Sequence, residues 1–380
     1  AVYWSRLYDP AHKARDTALK TSLREAGIDA QSFAGHVLFE PWTVSTKTGG
    51  YYKVFTPMWN TVRNIDVGGV LPAPVQIRPP RVWPKSDRLQ SWHLATAMDR
   101  GADTLTRYCG VGEQNAQDRL AQFVTEKLDH YAINRDLPGV QGTSGLSENL
   151  TYGEISPRQC WQAGWGALHA GRSAAEVFLR ELVWREFGYH LTHYTPHMLT
   201  DNWKPAWDAF PWNTQDTPEV TAWKQGRTGV PFVDAAMREM YVTGIMHNRG
   251  RMIAASYLTK HLMTHWKVGL AWFADCLIDW DPCSNAMGWQ WAAGSGPDAA
   301  PYFRVFNPVS QLKKFDPNGH YAKQWIAELD ATKSTTALAY FNMVPKRWGI
   351  GPNDAYPEPI VDLAQGRARA LAAYQGHKTK

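Results

Sequence analysis

Three stretches of this sequence bring together side chains that could do chemistry. In "FLRELVWREFGYH", Glu181, Trp184 and Arg185 stand at i, i+3 and i+4. A helix there carries a carboxylate, an indole and a guanidinium on one face. This set reads either as a surface ion pair beside a core tryptophan or as part of a pocket wall. In "MHNRGRMIAAS", Asn248 shares a face with Met252, and His247 shares one with Arg251. Polar groups on an otherwise apolar helix line a cavity or form a buried hydrogen-bonded pair. In "LIDWDPCSNAMGWQW", Asp279 and Asp281 flank Trp280 ahead of a proline. They are helix C-terminal and turn residues or partners for arginines on a neighbouring helix. Their spacing does not match the ligand ladder of a calcium loop, and no HExxH or similar pattern suggests another metal. A fourth stretch, "VQGTSGLSENL", sets Thr143, Ser144 and Ser147 among Gly142 and Gly145 ahead of a helical pattern. Backbone N–H groups and hydroxyls so placed can hold phosphates, although a plain turn with a helix cap fits equally. The chain also holds 19 tryptophans, several of them clustered around Trp289 and Trp291.

The elements that must position these groups change character along the chain. "AVYWSR" reads as a strand, "ARDTALKTSLREAGI" as an amphipathic helix ended by Gly27, and "SFAGHVLFE" as a second strand, an α/β alternation. Residues 68–112 begin with a proline-rich run that has no core-facing periodicity and read as a linker. From residue 113 onward the pattern is helical. Ser156-Pro157 starts one helix and Gly171 stops it. "SAAEVFLRELVWREFGYHLTHY", "VPFVDAAMREMYVTG", "MHNRGRMIAASYLTKHLMTHW" and "LAWFADCLIDW" supply the next helices. The expected organisation is α+β: residues 1–67 as a partial α/β unit, 68–112 as linker and 113–380 as an all-α domain. A net charge of +5 permits a local nucleic-acid-binding patch without requiring one. The four cysteines form no CxxC pair and read as reduced thiols of a cytoplasmic protein. There is no apolar run long enough to span a bilayer and no signal-peptide pattern at the first residue.

Taken together, "YYKVFTPMWN", "GTSGLS", "SPRQCWQA", "ELVWREF", "TGVPFVDAAMREM", "MHNRGRMIAAS" and "GWQWAAGSGPDAAPYFRVFNP" resemble the photolyase/cryptochrome flavoprotein family over nearly the whole chain. Within it they look most like class I photolyases, which repair cyclobutane pyrimidine dimers. The resemblance implies a Rossmann-like antenna domain, of which residues 1–67 are a part lacking the first strands and the "WFRRDLR"-type opening. It also implies a helical FAD-binding domain. The expected partner is UV-damaged DNA, with no membrane association, and the expected state is a monomer. Folate-using members carry a Glu before "YKVFTP", where this chain has Gly50, so a deazaflavin or no antenna chromophore is the expectation over folate.

By motif position, the resemblance carries FAD contacts to Tyr131, to Thr143, Ser144, Gly145, Leu146 and Ser147, and to Arg185, Asn248, Arg251, Asp279, Asp281 and Asn285. Gly145 stands where the family has an arginine. Asn285 matches the position facing flavin N5, where an amide can accept or donate a hydrogen bond without adding charge. Glu181, Trp184, Asn248, Met252 and Trp291 match the lesion pocket. Members that repair (6-4) lesions have histidine at the positions of Asn248 and Met252, so the substrate implied here is the cyclobutane dimer. Arg135, Arg249 and Arg304 match contacts to DNA phosphates. Trp289, Trp266 and Trp212 match a chain of redox-active tryptophans, which answers part of the tryptophan excess. The alternative within the family is a cryptochrome-type blue-light receptor.

Overall fold

The computed structural model describes residues 1–94, 96, 102–298 and 303–378, and the chain is mostly helical. Strands β1 (Val2–Ser5) and β2 (Ala30–Phe33) pair in parallel, Val2 opposite Ala30. Helix α1 (Pro10–Glu25) joins them, capped by the Asp9 side chain at its start and followed by Gly27 at φ +72°. The second strand thus lies earlier than "SFAGHVLFE" suggests. Pairing with β1 selects Ala30–Phe33. The apolar run after it forms no strand, and its Leu38 and Phe39 amides donate instead to the Glu186 carboxylate at 2.7 and 3.1 Å. Helix α2 (Phe55–Val62) buries Phe55, Met58, Trp59 and Val62. Residues 66–88 contain no helix or strand.

The helical part follows the capping signals closely. Helix α3 spans Glu113–Gln122 and α4 Ser147–Tyr152. Helix α5 (Pro157–His169) starts with a capping box in which Ser156 and Gln159 satisfy each other's backbone N–H groups. Helix α6 (Ala175–Tyr194) is buried along most of its length, and α5 and α2 pack on it. Helix α7 (Pro231–Thr243) ends where Gly244 turns left-handed, φ +73°. Helix α8 (Asn248–Ser256) runs into a wide π-helical turn, Tyr257–His261.

There the chain departs from the continuous helix that its periodicity suggests. Met263 takes φ +52°, and Asn213 pairs with the backbone on both sides of Thr264. Helix α9 (Trp266–Cys276) then starts afresh under a His265 cap. Helix α10 (Pro282–Ala293) starts under Asp281, whose carboxylate accepts from the Ser284 N–H at 2.7 Å. The main hydrophobic core joins α7, α8, α9 and α10, while a second core joins α2, α5 and α6. The α6–α10 contact lies between these two cores. Among the described residues, no helix is long and apolar enough to cross a membrane.

Candidate functional site

Helix α10 places Asn285 and Trp289 one turn apart, both buried. The Asn285 side-chain NH₂ donates to the Asp281 carbonyl at 2.9 Å, which fixes the amide so that its oxygen is the group left to meet a ligand. Just before the helix, Asp279 accepts from Arg251 of α8 at 2.7 Å. The Arg251 Nε–H donates to the Met246 carbonyl at 2.9 Å, so the guanidinium is held from two sides. The carboxylate's second oxygen, Asp279 Oδ1, is buried without a partner, and so is the Trp289 indole nitrogen. A buried acceptor left open is costly in a finished fold. Beside a guanidinium and an amide, it fits a polar ligand that brings its own N–H.

The "GTSGLS" loop lies against this site. Leu146 is buried, Ser144 is partly buried, and Thr143, Gly145 and Ser147 are exposed. Gly145 adopts φ +64°, and an added Cβ at Gly142 would fall 2.6 Å from the Asn134 side chain, so both glycines are required by geometry. Helix α4 follows, and its Thr151 hydroxyl donates to the Asp279 carbonyl at 3.4 Å. Tyr131 is buried edge-on against Phe123 at 5.1 Å. A guanidinium reaches this loop from α3: Arg119 donates to the Gly145 carbonyl at 2.9 Å and pairs with Glu148. No local pattern marks Arg119, which acts across the fold.

Arg185 and Asp281 meet around a cluster that the motifs did not announce. Arg185 donates to the His36 carbonyl at 2.7 Å and lies 4.9 Å over the Tyr189 ring. The Tyr189 hydroxyl donates to Asp281 and sits 2.6 Å from His36 Nε2. Burial and then the Arg185 charge push the His36 imidazole down to about 4, so it is neutral. Burial raises the Glu186 carboxyl to about 7 despite its neighbour Arg185. The amino-terminal segment therefore reaches the helix of Asn285 through Tyr189 and the Asp281 cap.

At the other end of α6, Glu181 pairs with Arg135 at 2.5 Å, so residues expected to face a base and a phosphate form one pair. Arg249 pairs with Asp136 at 2.5 Å and stacks 4.2 Å from the centre of Phe315. Its guanidinium and the Asn248 amide both approach the Met252 sulfur, at 3.8 and 4.0 Å. Asn248 is exposed, and Trp184 and Met252 are half-buried. Trp291 lies 6.5 Å from Phe306, with Arg304 5.9 Å over its ring.

Of the three tryptophans in the expected chain, Trp289 packs on α9 at Gly269, one turn from Trp266. An added Cβ there would meet the indole at 2.0 Å. Trp266 donates to Asn202 at 2.8 Å, and His265 bridges it to Trp212 with ring centres at 5.4 and 5.5 Å. Trp212 is half-exposed and lies 6.0 Å from Trp207.

Two family models match this chain: the FAD binding domain of DNA photolyase over residues 178–376 and DNA photolyase over residues 1–76. The chain is 43% identical to the deoxyribodipyrimidine photo-lyase of Agrobacterium fabrum over 99% of its own length and 80% of the relative's. It is 37% identical to that of Escherichia coli, covering 98% of this chain and 78% of the relative. A crystal structure of a bacterial class III photolyase from Agrobacterium tumefaciens superposes with a TM-score of 0.88 at 41% identity, covering 100% of this chain and 80% of that one. These matches establish the family and not the class within it. With the FAD-binding model spanning the segment that carries Arg251, Asp279 and Asn285, the chain belongs to the photolyase/cryptochrome family.

Proposed function

We propose that this chain repairs cyclobutane pyrimidine dimers in DNA with light, acting as a deoxyribodipyrimidine photo-lyase. The observation that carries the reading is the open acceptor of Asp279. It is buried without a partner on a carboxylate held by Arg251, just before the helix that carries Asn285. Bound FAD, in its reduced form, supplies the photoexcited electron that splits the cyclobutane ring and is returned afterwards, so no net redox change occurs.

The chain's own residues do the rest. Thr143 to Ser147 and Tyr131 hold the pyrophosphate side of the cofactor. Arg251, Asp279 and Asn285 hold its ring system, with Asn285 presenting a neutral oxygen. Arg185 and Asp281 brace that region from behind. Trp184 and Trp291 offer flat apolar walls to a dimer flipped out of the duplex. Met252 fills the gap between them, and Glu181 and Asn248 meet the base edge. Arg249 and Arg304 serve the phosphates and position the strand without reading sequence, while Arg135, matched to the same role, is paired with Glu181. Trp289, Trp266 and Trp212 deliver reducing equivalents from the surface. The reading includes the division into an antenna remnant (1–67), a linker (68–112) and a helical domain (113–380). The βαβ arrangement of the first segment and the absence of helix or strand over 66–88 support it.

The test uses flavin-loaded protein and oligonucleotides that each carry one defined lesion. The cyclobutane dimer should be restored under near-UV or blue light and not in the dark. The (6-4) product should remain. Restoration of the (6-4) product alone would overturn the substrate assignment. A flavin-loaded protein that repairs neither lesion would favour the cryptochrome-type receptor.

A further inference from the structure

The Trp184 indole has a partner that no motif assigns to it. Phe55, the first residue of α2, lies flat against it, with ring centres 3.8 Å apart and planes 3° apart. Among the described residues no other ring pair is as close or as parallel; the next in distance is Phe210 with Trp212 at 4.4 Å and the next in angle Trp223 with Phe273 at 7°. Two aromatic rings left to themselves prefer an offset or edge-on contact, because their faces repel. Something must therefore hold this pair face to face, and two neighbours do. The Arg180 guanidinium, one turn before Trp184 on α6, sits 5.6 Å from the centre of Phe55, where a cation relieves the facing of two electron-rich rings. Phe187 closes the edge of both rings, at 6.1 Å from Phe55 and 5.8 Å from Trp184.

We infer that Phe55 is a positioning residue for lesion recognition: it fixes the plane of Trp184 and occupies one of that ring's two faces. The inference rests on the reading of Trp184 and Trp291 as the walls of the lesion pocket. The two walls come from different helices, α6 and α10, and Phe55 belongs to neither. Its own anchor is α2, whose Met58, Trp59 and Val62 are buried in the α5–α6 core. A lesion can then stack only on the face of Trp184 that Phe55 leaves open, and the spacing of the walls follows the seat of α2.

The experiment measures binding of the flavin-loaded full chain to an oligonucleotide carrying one cyclobutane thymine dimer and to the same oligonucleotide undamaged. Phe55→Leu should weaken lesion binding about three- to tenfold, the worth of one aromatic pair. Binding of undamaged DNA, flavin content and flavin photoreduction should not change. Phe55→Tyr keeps the ring and should stay within about twofold of the parent. Arg180→Gln should shift lesion binding in the same direction as Phe55→Leu by about twofold, the worth of the cation over the ring. Combined with Trp184→Phe, Phe55→Leu should add little to the loss from Trp184→Phe alone, because one acts through the other. Equal losses on damaged and undamaged DNA, or losses that simply add, would overturn the inference. If Trp184→Phe itself leaves lesion binding untouched, the wall reading fails first. If Trp184→Phe weakens binding while Phe55→Leu and Arg180→Gln do not, only the role of Phe55 falls. Should Phe55→Leu not fold, unchanged discrimination in Arg180→Gln is sufficient to reject it.

Discussion

Replacing Asp279 by asparagine separates its charge from its shape. The Asp279 side chain is 4% exposed and its partner Arg251 is 23% exposed, so the pair is only partly shielded from water. The amide keeps the volume and can still accept from Arg251 at the 2.7 Å position. The other end of the group changes sign: the open oxygen becomes an NH₂ donor aimed at a ligand N–H. A hydrogen bond to a charged group is worth about 1.5–3 kcal/mol, so FAD should bind roughly ten- to hundredfold more weakly. At a fixed excess of FAD, the ligand's contribution to stability should fall by about 1.4–2.7 kcal/mol. The assay is titration of flavin-stripped protein with FAD by fluorescence quenching, with thermal melts run with and without FAD. The melt without FAD should change little, because Arg251 retains water and the Met246 carbonyl as partners. Parental FAD affinity in Asp279→Asn would refute the argument. So would a fall in the FAD-free melt as large as that with FAD, since the carboxylate would then serve the fold and not the cofactor.

Three further outcomes are expected. Trp289→Phe should nearly abolish photoreduction of oxidised flavin, because phenylalanine does not give up an electron at an accessible potential, while repair by chemically pre-reduced enzyme should persist; unchanged photoreduction would remove Trp289 from the electron route. Arg249→Ala should flatten the log–log salt dependence of lesion binding by about 0.7–0.9, one phosphate's worth, and a salt-independent affinity in the parent would contradict phosphate contact altogether. Stability in urea should fall on acidification. Burial holds His36, His190, His247, His261 and His265 at about 4, below the ordinary imidazole value of 6.5. The native state thus binds fewer protons than the unfolded one between about pH 4 and 6.5, and stability is gained as pH rises through that window. Each such group contributes about 1.4 kcal/mol per pH unit there, less for the more exposed His265. Glu186 and Glu239, both raised to about 7 by burial from an ordinary 4.5, work in the opposite direction between those values. They are outnumbered, so the urea midpoint should climb from pH 4.5 to 6.5; a midpoint highest near pH 4.5 would contradict the assignment.

What could be read in the sequence was local. Ser156-Pro157, Gly27 and Gly171 mark helix ends because capping is satisfied within a few residues, and all three do so in the structure. The shared face of Asn248 and Met252 follows from helical spacing alone. Of the two readings of Asp279 and Asp281, the arginine pairing holds for Asp279, whereas Asp281 caps the start of a helix, which neither reading gave. The misses are non-local. The second strand shifted because a partner strand, and not its own apolar run, sets the register. The helix break at Met263 depends on Asn213, far upstream. His36 and Tyr189 are 153 residues apart, Arg119 reaches Gly145 from another helix, and Phe55 meets Trp184 across two segments. No periodicity within one element could announce these contacts.

The same distinction bears on the three arginines matched to DNA phosphates. Arg135 and Asp136 are neighbours in the chain, yet their partners differ in kind. Asp136 is 41% exposed and Arg249 15% exposed, so the carboxylate end of this pair reaches water, and a surface pair contributes at most about 1 kcal/mol. A phosphate can displace that carboxylate at small cost, and Asp136 returns to solvent. Arg135 pairs with Glu181, and both arginines also meet a ring, Arg135 the Tyr131 ring at 5.7 Å and Arg249 the Phe315 ring at 4.2 Å, so the carboxylate left behind separates the two cases. Moving Arg135 to a phosphate would strip Glu181 of its counter-charge, and on the proposed reading that carboxylate meets a base edge. Arg249 is thus the arginine free to change partners on binding DNA, and Arg135 is better placed to stay and hold the Glu181 carboxylate in orientation. Arg135→Ala should therefore reduce discrimination between damaged and undamaged DNA more than it alters the salt dependence, the reverse of Arg249→Ala. Equal changes in salt slope for the two variants would show that both arginines serve the phosphates alike.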